Sequence, residues 1–404
     1  MPLYMYKAKN ESGKILTGEA KIASEEDLVN LLVEKGYTPV EIKVKNAFTD
    51  ISQISIFKPK VKTKDLAVFC RQFAIVLEAG VPIASALDVL REQTQNLTLK
   101  ECISDVYENI QKGSSLTLAM KQHAKIFPDI LLNMVESGEI SGQLDGVFVR
   151  MADYFENQNK LNQKIRGAMT YPIIVVFVAI AVIIVLMAKV VPGFIDILNS
   201  FNVEMPVFTK ILVAVSDVFK SFWWLMVIMI FALVAGIKAY YSTDSGKMFF
   251  GNLAIKAPVV KGLTKNIMTA RLTRTLGTLM SSGVLLIQAM EIVQKIVGNA
   301  VISERLNFVT EEIKKGRGLT QPLASLKYFP PMLISMIKIG EESGNLDYSL
   351  GKCADFYDQE VEVSVQQLTA LIEPAVIIFL SVVVGFIIIS VLFPMFSIYQ
   401  NMAV

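Results

Sequence analysis

The sequence predicts an all-α integral membrane protein. It has two repeated cytoplasmic helical-bundle domains, three transmembrane helices and a small α+β module at the N-terminus. Three observations predict this. Three apolar windows each approach the ~20 residues that a helix needs to cross hydrocarbon. Motifs recur at an offset of 202 to 203 residues. The segments between the windows carry helical periodicity and no strand alternation.

The first element is the module at 1–46. "LYMYKAKNESGKILTGEAKI" reads as two short strands around the turn Asn10-Glu11-Ser12-Gly13. "SEEDLVNLLVEKG" reads as a helix with Ser24 as N-cap and Gly36 as stop, and "TPVEIKV" as a third strand. This start has no apolar core of signal-peptide length, so no cleaved targeting segment is expected. A linker, 47–63, follows with Lys58, Pro59, Lys60 and Lys62.

The first helical domain is placed at 64–168. Leu66, Phe69, Phe73, Val76 and Leu77 fall on one face of a 3.6-residue period. Gly80 reads as a stop, and Pro82 as the first turn of the next helix.

The windows are 171–191, 222–240 and 374–393. None shows a polar face or a central ionisable residue. The third is free of charge, and at roughly −0.3 to −0.6 kcal/mol for each Val, Ile, Leu or Phe its insertion is favoured by several kcal/mol. Trp223 and Trp224 open the second window, as an interfacial belt would. The segment 192–221 is an extracytoplasmic loop in this reading, 241–266 a connector and 394–404 an extracytoplasmic tail.

The second helical domain, 267–370, repeats the first. "RQFAIVLEAGVPIASALD" lies over "RTLGTLMSSGVLLIQAME", so Arg71 meets Arg274 and Gly80 meets Gly283. Gly113 meets Gly316 at the same offset, one residue is then lost, and "GEISGQLD" meets "GEESGNLD". That pair aligns Gly138, Glu139, Gly142 and Asp145 with Gly340, Glu341, Gly344 and Asp347. "DYFENQ" and "DFYDQE" continue it, Tyr171-Pro172 meets Glu373-Pro374 at the heads of two windows, and Pro192 meets Pro394 past their ends. Equivalent domains belong on one side of a membrane. The unpaired middle window returns the chain to that side. Lysines and arginines flanking the first two windows place it, and the N-terminus, in the cytoplasm, with the C-terminus outside.

The inventory of chemistry is short. Net charge is +2, too small to argue for direct nucleic-acid binding. Cys70, Cys102 and Cys353 are scattered and read as reduced, packed thiols. There is a single histidine, His123, and no phosphate-binding glycine loop, nucleophile elbow or zinc motif. No catalytic, metal-binding or cofactor-binding residue is assigned, and no cofactor is expected. Such a chain holds other proteins in place; a membrane transporter or channel subunit is the alternative.

Together, the two helical repeats, the three windows, the GExSGxLD copies and "KIRGAMTYP" before the first window resemble the type II secretion F / type IV pilus inner-membrane platform family. The N-terminal module resembles that family's leading domain. In the second copy Glu373 stands where Tyr171 stands in the first. The resemblance implies a non-enzymatic platform in the cytoplasmic (inner) membrane. Its implied partners are a hexameric assembly ATPase, pilins or pseudopilins and other inner-membrane assembly proteins, with a homo-oligomer expected.

The structural reading of GExSGxLD is a helix–turn–helix. Gly142 takes the left-handed conformation, Asp145 caps the next helix, and Leu144 staples onto Val149. Glu139 and Glu341 are not demanded by that turn and are left either to face the ATPase or to pair with a base. Arg71 and Arg274 are locally paired charges or ATPase contacts. Tyr171-Pro172 and Glu373-Pro374 are the lead-ins to the membrane, with each proline in a first helical turn.

Overall fold

The computed structural model describes residues 3–9, 15–21, 25–34, 36–44, 59–200 and 207–402. The N-terminal unit contains β1 (Leu3–Lys9), β2 (Ile15–Lys21), α1 (Glu25–Glu34) and β3 (Thr38–Val44). The sheet is antiparallel in the order β2-β1-β3, with a register shift against β3 between Lys7 and Ala8. Tyr4 and Ala8 alternate onto one face of β1 and bury with Leu28 and Leu32 of α1. Gly36 (φ 76°) follows α1. The turn at 10–14 and the Ser24 cap lie outside the described residues.

The repeats fold as matched sets of six helices. The first is α2 (Thr63–Glu78), α3 (Ile83–Gln93), α4 (Leu97–Gln111), α5 (Leu116–Lys121), α6 (Asp129–Ser141) and α7 (Leu144–Val185). After it come α8 (Val191–Ser200), α9 (Val207–Ser242) and α10 (Asp244–Lys256). The second set is α11 (Lys261–Met280), α12 (Leu286–Ile296), α13 (Ala300–Lys314), α14 (Thr320–Ser325), α15 (Pro331–Ser343) and α16 (Leu346–Met402). Helices α3 and α12 share both boundaries at offset 203, and α6 and α15 share both at 202. The residue lost between them falls after α14. There Lys327 takes φ 49°, the one positive φ outside glycine among the described residues, because a shorter turn must bend harder.

Each bundle closes around its first and last helices. Phe69, Phe73, Phe127 and Phe148 form the first core, with Phe73 and Phe148 ring centroids 4.3 Å apart. The equivalent positions Leu272, Leu276, Phe329 and Leu350 are buried in the second. Leu66, Phe69 and Phe73 are buried on α2 as the period requires, and Val76 and Leu77 are half-buried. All three cysteines are buried and unpaired.

Among the described residues, two helices are long and apolar enough to cross a membrane, over Leu144–Ile195 and Leu346–Leu392. The domain boundaries expected at 168 and 370 are not breaks in structure. Helix α7 runs 42 residues and α16 runs 57, each passing from a bundle into its apolar stretch without interruption. Pro172 and Pro374 therefore sit inside helices and not in first turns. Nothing between Asp153 and Pro172 stops a helix except an isolated glycine, Gly167, which a helix tolerates. Pro82 is likewise the N-cap of α3, one residue before its first turn.

The window 222–240 lies in α9, which bends at Phe222 (φ −120°, ψ 19°). The preceding connection is largely helical, through α8 and the first half of α9. It packs because it is apolar: Leu212 buries against Met187, Val191, Ile387 and Val391.

Candidate functional site

The GExSGxLD copies form matched corners, α6 to α7 and α15 to α16. Gly142 and Gly344 both have φ 71° and end their helices in the left-handed conformation, where a side chain would be strained. Gly138 and Gly340 serve a different need. A Cβ on Gly138 would lie 2.8 Å from Val147 Cγ2, and one on Gly340 would lie 2.9 Å from the Leu346 Cα. These glycines let consecutive helices touch.

The glutamates have a structural task. The Glu139 carboxylate accepts from the Leu116 amide at 2.8 Å and the Thr117 amide at 3.0 Å. Glu341 accepts from the Leu319 amide, the Thr320 hydroxyl and the Thr320 amide, the last at 3.1 Å. Each carboxylate thus binds the orphan amides at the start of a short helix, α5 or α14, from 21 to 23 residues away. These short helices cannot hold themselves together, and the corner supplies the missing acceptor.

The caps differ from expectation. Gln143 is the N-cap of α7, and Asp145 sits in the first turn with no side-chain cap bond. A carboxylate there favours the helix through the dipole. Leu144 is already helical and lies by Gly138, so the staple to Val149 does not form. Asp347 occupies the same first-turn place in α16.

The arginines clasp first helix to last. Arg71 meets Asp153 at 2.5 Å and Glu156 at 2.8 Å; Arg274 meets Asp355 at 2.7 Å and Asp358 at 2.6 Å. The acids are three apart on one helical face, so one guanidinium spans both. They are the acids of the repeated DYFENQ and DFYDQE. The Arg274 side chain is 18% exposed against 35% for Arg71, which makes the second clasp the less screened. The remaining glycine pairs, Gly80 with Gly283 and Gly113 with Gly316, all have φ between 77° and 89° and turn the chain between helices.

Hydrogen bonds set a pH dependence. Burial pushes the Glu139 carboxyl up, but the hydrogen bonds it accepts, the Leu116 and Thr117 amides among them, more than offset it, and the group ends below its ordinary value. The Arg71 hydrogen bond holds Glu156 low as well. A carboxyl lowered by folding binds fewer protons in the native state. Its stabilisation is present above the unfolded carboxyl range, about pH 4.3, and is lost as pH falls through the folded value. The purified chain in detergent is expected to melt progressively lower from about pH 5 downward. Glu139→Gln is expected to show a smaller acid-induced drop.

The two bundles are joined directly. The Tyr154 hydroxyl lies 3.2 Å from Thr275 Oγ1, Lys164 Nζ 2.5 Å from Glu362, and Lys295 Nζ 2.7 Å from Asp129. Gln288 donates to Asn133 at 3.0 Å. A cleft of about 670 Å³ lies between the bundle ends, edged by Ile140 and Leu285, which are 84% and 76% exposed. From Leu144 to Tyr171 the rod is about 40 Å long at ~1.5 Å per residue, so these side chains stand far from the apolar stretches. Tyr171 and Glu373 are exposed where those stretches begin.

At the far ends of the rods, two repeat-related prolines leave carbonyls without amides. Pro394 cannot serve the Ser390 carbonyl, and the Thr209 hydroxyl donates to it at 2.7 Å. In the first copy a π-helical step, Leu186–Val190, passes the Val191 amide to Leu186, and Pro192 has no amide for Met187. Ser216 donates to that Met187 carbonyl at 2.9 Å. Thr209 and Ser216, both buried, are seven residues apart and so share one face of α9. Ser216→Ala and Thr209→Val are each expected to destabilise the detergent-solubilised chain by about 0.6 to 1.7 kcal/mol, read by thermal unfolding. Sequence reasoning missed this pair, although the prolines advertised the two open carbonyls.

Residues 69–192 and 272–394 match the family described as type II secretion system protein F, and residues 1–43 match the N-terminal domain of that family. The chain is 37% identical to the type IV pilus assembly protein PilC of Thermus thermophilus, with both chains fully covered. It is 35% identical to PilC of Myxococcus xanthus over 98% of this chain and 94% of that one. It is also 31% identical to the type II secretion system protein F of Xanthomonas campestris, over 98% of each.

Proposed function

The chain belongs to the type II secretion system protein F family, and from that premise we propose that it is a non-enzymatic inner-membrane platform. In this reading it couples a cytosolic assembly ATPase to the polymerisation of pilins or pseudopilins. The observation that carries the proposal is the continuity of α7 and α16. A helix transmits a push or a twist along its length. Two such rods, clasped to each other by Lys164 and Glu362, would carry motion from the bundle ends into the membrane. The second half of α9 is the third crossing, returning the chain so that both bundles hang in the cytoplasm. The chain works without a cofactor, as a homo-oligomer beside other inner-membrane assembly proteins.

The cleft edged by Ile140 and Leu285 is the ATPase-facing surface in this account. The test is co-isolation of the ATPase with the full chain from solubilised membranes. Ile140→Asp with Leu285→Asp is expected to abolish co-isolation and fibre assembly while the chain still inserts and melts as before. Undiminished co-isolation would remove the cleft from the proposal.

A further inference from the structure

The second bundle has a cavity walled in part by a helix outside the repeat. Helix α10 has no counterpart in the repeat, and it packs on the start of α13, where Asn299 Nδ2 donates to the Gly251 carbonyl at 3.0 Å. Between α10, α11 and the α12–α13 turn lies a space of about 800 Å³. Its lining includes three cations, Lys247, Arg271 and Lys295, and no carboxylate. Lys247 is neutralised by Asp244 at 2.9 Å and Lys295 by Asp129 at 2.7 Å. Half-buried Arg271 makes no hydrogen bond or ion pair with any described residue. Its Nη1 lies beside Gly298, 2.2 Å from where a Cβ would stand, so glycine is required for the guanidinium to lie there. The first repeat has Val68 at the position of Arg271.

A guanidinium half out of water with five idle donors calls for an oxyanion. Most of the remaining wall is apolar, Phe250, Ile267, Met268 and Val297 among it, with Thr264, Gln294, Asn299 and Ser303 as its polar members. Tyr241, at the end of α9, stands at the edge of the cavity where the chain leaves its apolar run. An anion joined to hydrocarbon satisfies both halves of this lining; a free anion satisfies only one. We propose that this cavity binds an anionic phospholipid, with its phosphate on Arg271 and its chains against the Tyr241–Phe250 wall. The site ties the second bundle to the inner leaflet beside α9.

The test is native mass spectrometry of the full chain in mild detergent with added phosphatidylglycerol or phosphatidylcholine. Wild type is expected to retain phosphatidylglycerol preferentially. Arg271→Gln is expected to cut that retention about fivefold, the scale of one cation near a lipid headgroup, and Arg271→Lys to cut it less. Lys338→Gln, which removes an exposed charge elsewhere, is expected to change nothing. Melting temperatures of the variants without lipid show whether each is folded, and Arg271→Lys carries the comparison if the glutamine variant is not. Equal retention by wild type and both folded Arg271 variants would overturn the proposal, as would equal loss in Lys338→Gln. Full displacement of the lipid by millimolar inorganic phosphate would also overturn it, since the site would then read phosphate alone.

Discussion

Gly340→Val is expected to destabilise the chain by about 3 kcal/mol or to prevent folding of the second bundle. A Cβ at this position would stand 2.9 Å from the Leu346 Cα and 3.1 Å from the Ser349 Cβ. The first of these is backbone at the start of α16 and cannot swing aside. The corner would have to open, and α16 would enter the membrane displaced. Gly138→Val is expected to cost less, about 2 kcal/mol, because its closest contact is the tip of the Val147 side chain at 2.8 Å. Thermal unfolding of the two variants in detergent, followed by fibre assembly in cells, reads both effects. Similar melting temperatures for Gly340→Val and wild type would show that the helices at this corner do not touch.

The second large effect is at the glutamates. Glu139→Leu and Glu341→Leu are each expected to cost about 2 to 3 kcal/mol, since two amides lose a charged acceptor at the start of a short helix. Gln at either position is expected to recover about half, its carbonyl replacing one acceptor and its amide group repelling the other donor. Limited proteolysis should then cut first near α5 in one variant and near α14 in the other. Were these residues direct ATPase contacts instead, the Gln variants would lose the ATPase at unchanged melting temperature.

The sequence made the duplication legible because turns are strict. A φ near 71° at Gly142 and Gly344 admits little but glycine, so the letters survive in both copies. Arg71 and Arg274 were legible as charges and not as clasps, because their acids lie more than 80 residues away. The glutamates defeated local reasoning for the same reason. Their partners are backbone amides, which leave no residue signature. Continuity of the rods was obscured by Pro172 and Pro374, which suggest helix starts until the length of α7 and α16 is seen. The Arg271 cavity depends on α10, which the repeat does not contain.

The central claim is that both bundles hang from the same face of the membrane, each on its own rod. Single cysteines introduced at Ile140 and Tyr348, exposed near the two corners, and at Val207, exposed at the start of α9, report on it directly. The three native thiols are buried and give little background. With a maleimide that cannot cross the inner membrane, Val207→Cys is expected to label in intact cells. Ile140→Cys and Tyr348→Cys are expected to label only after lysis. Labelling of either corner in intact cells, with the other protected, would contradict the account.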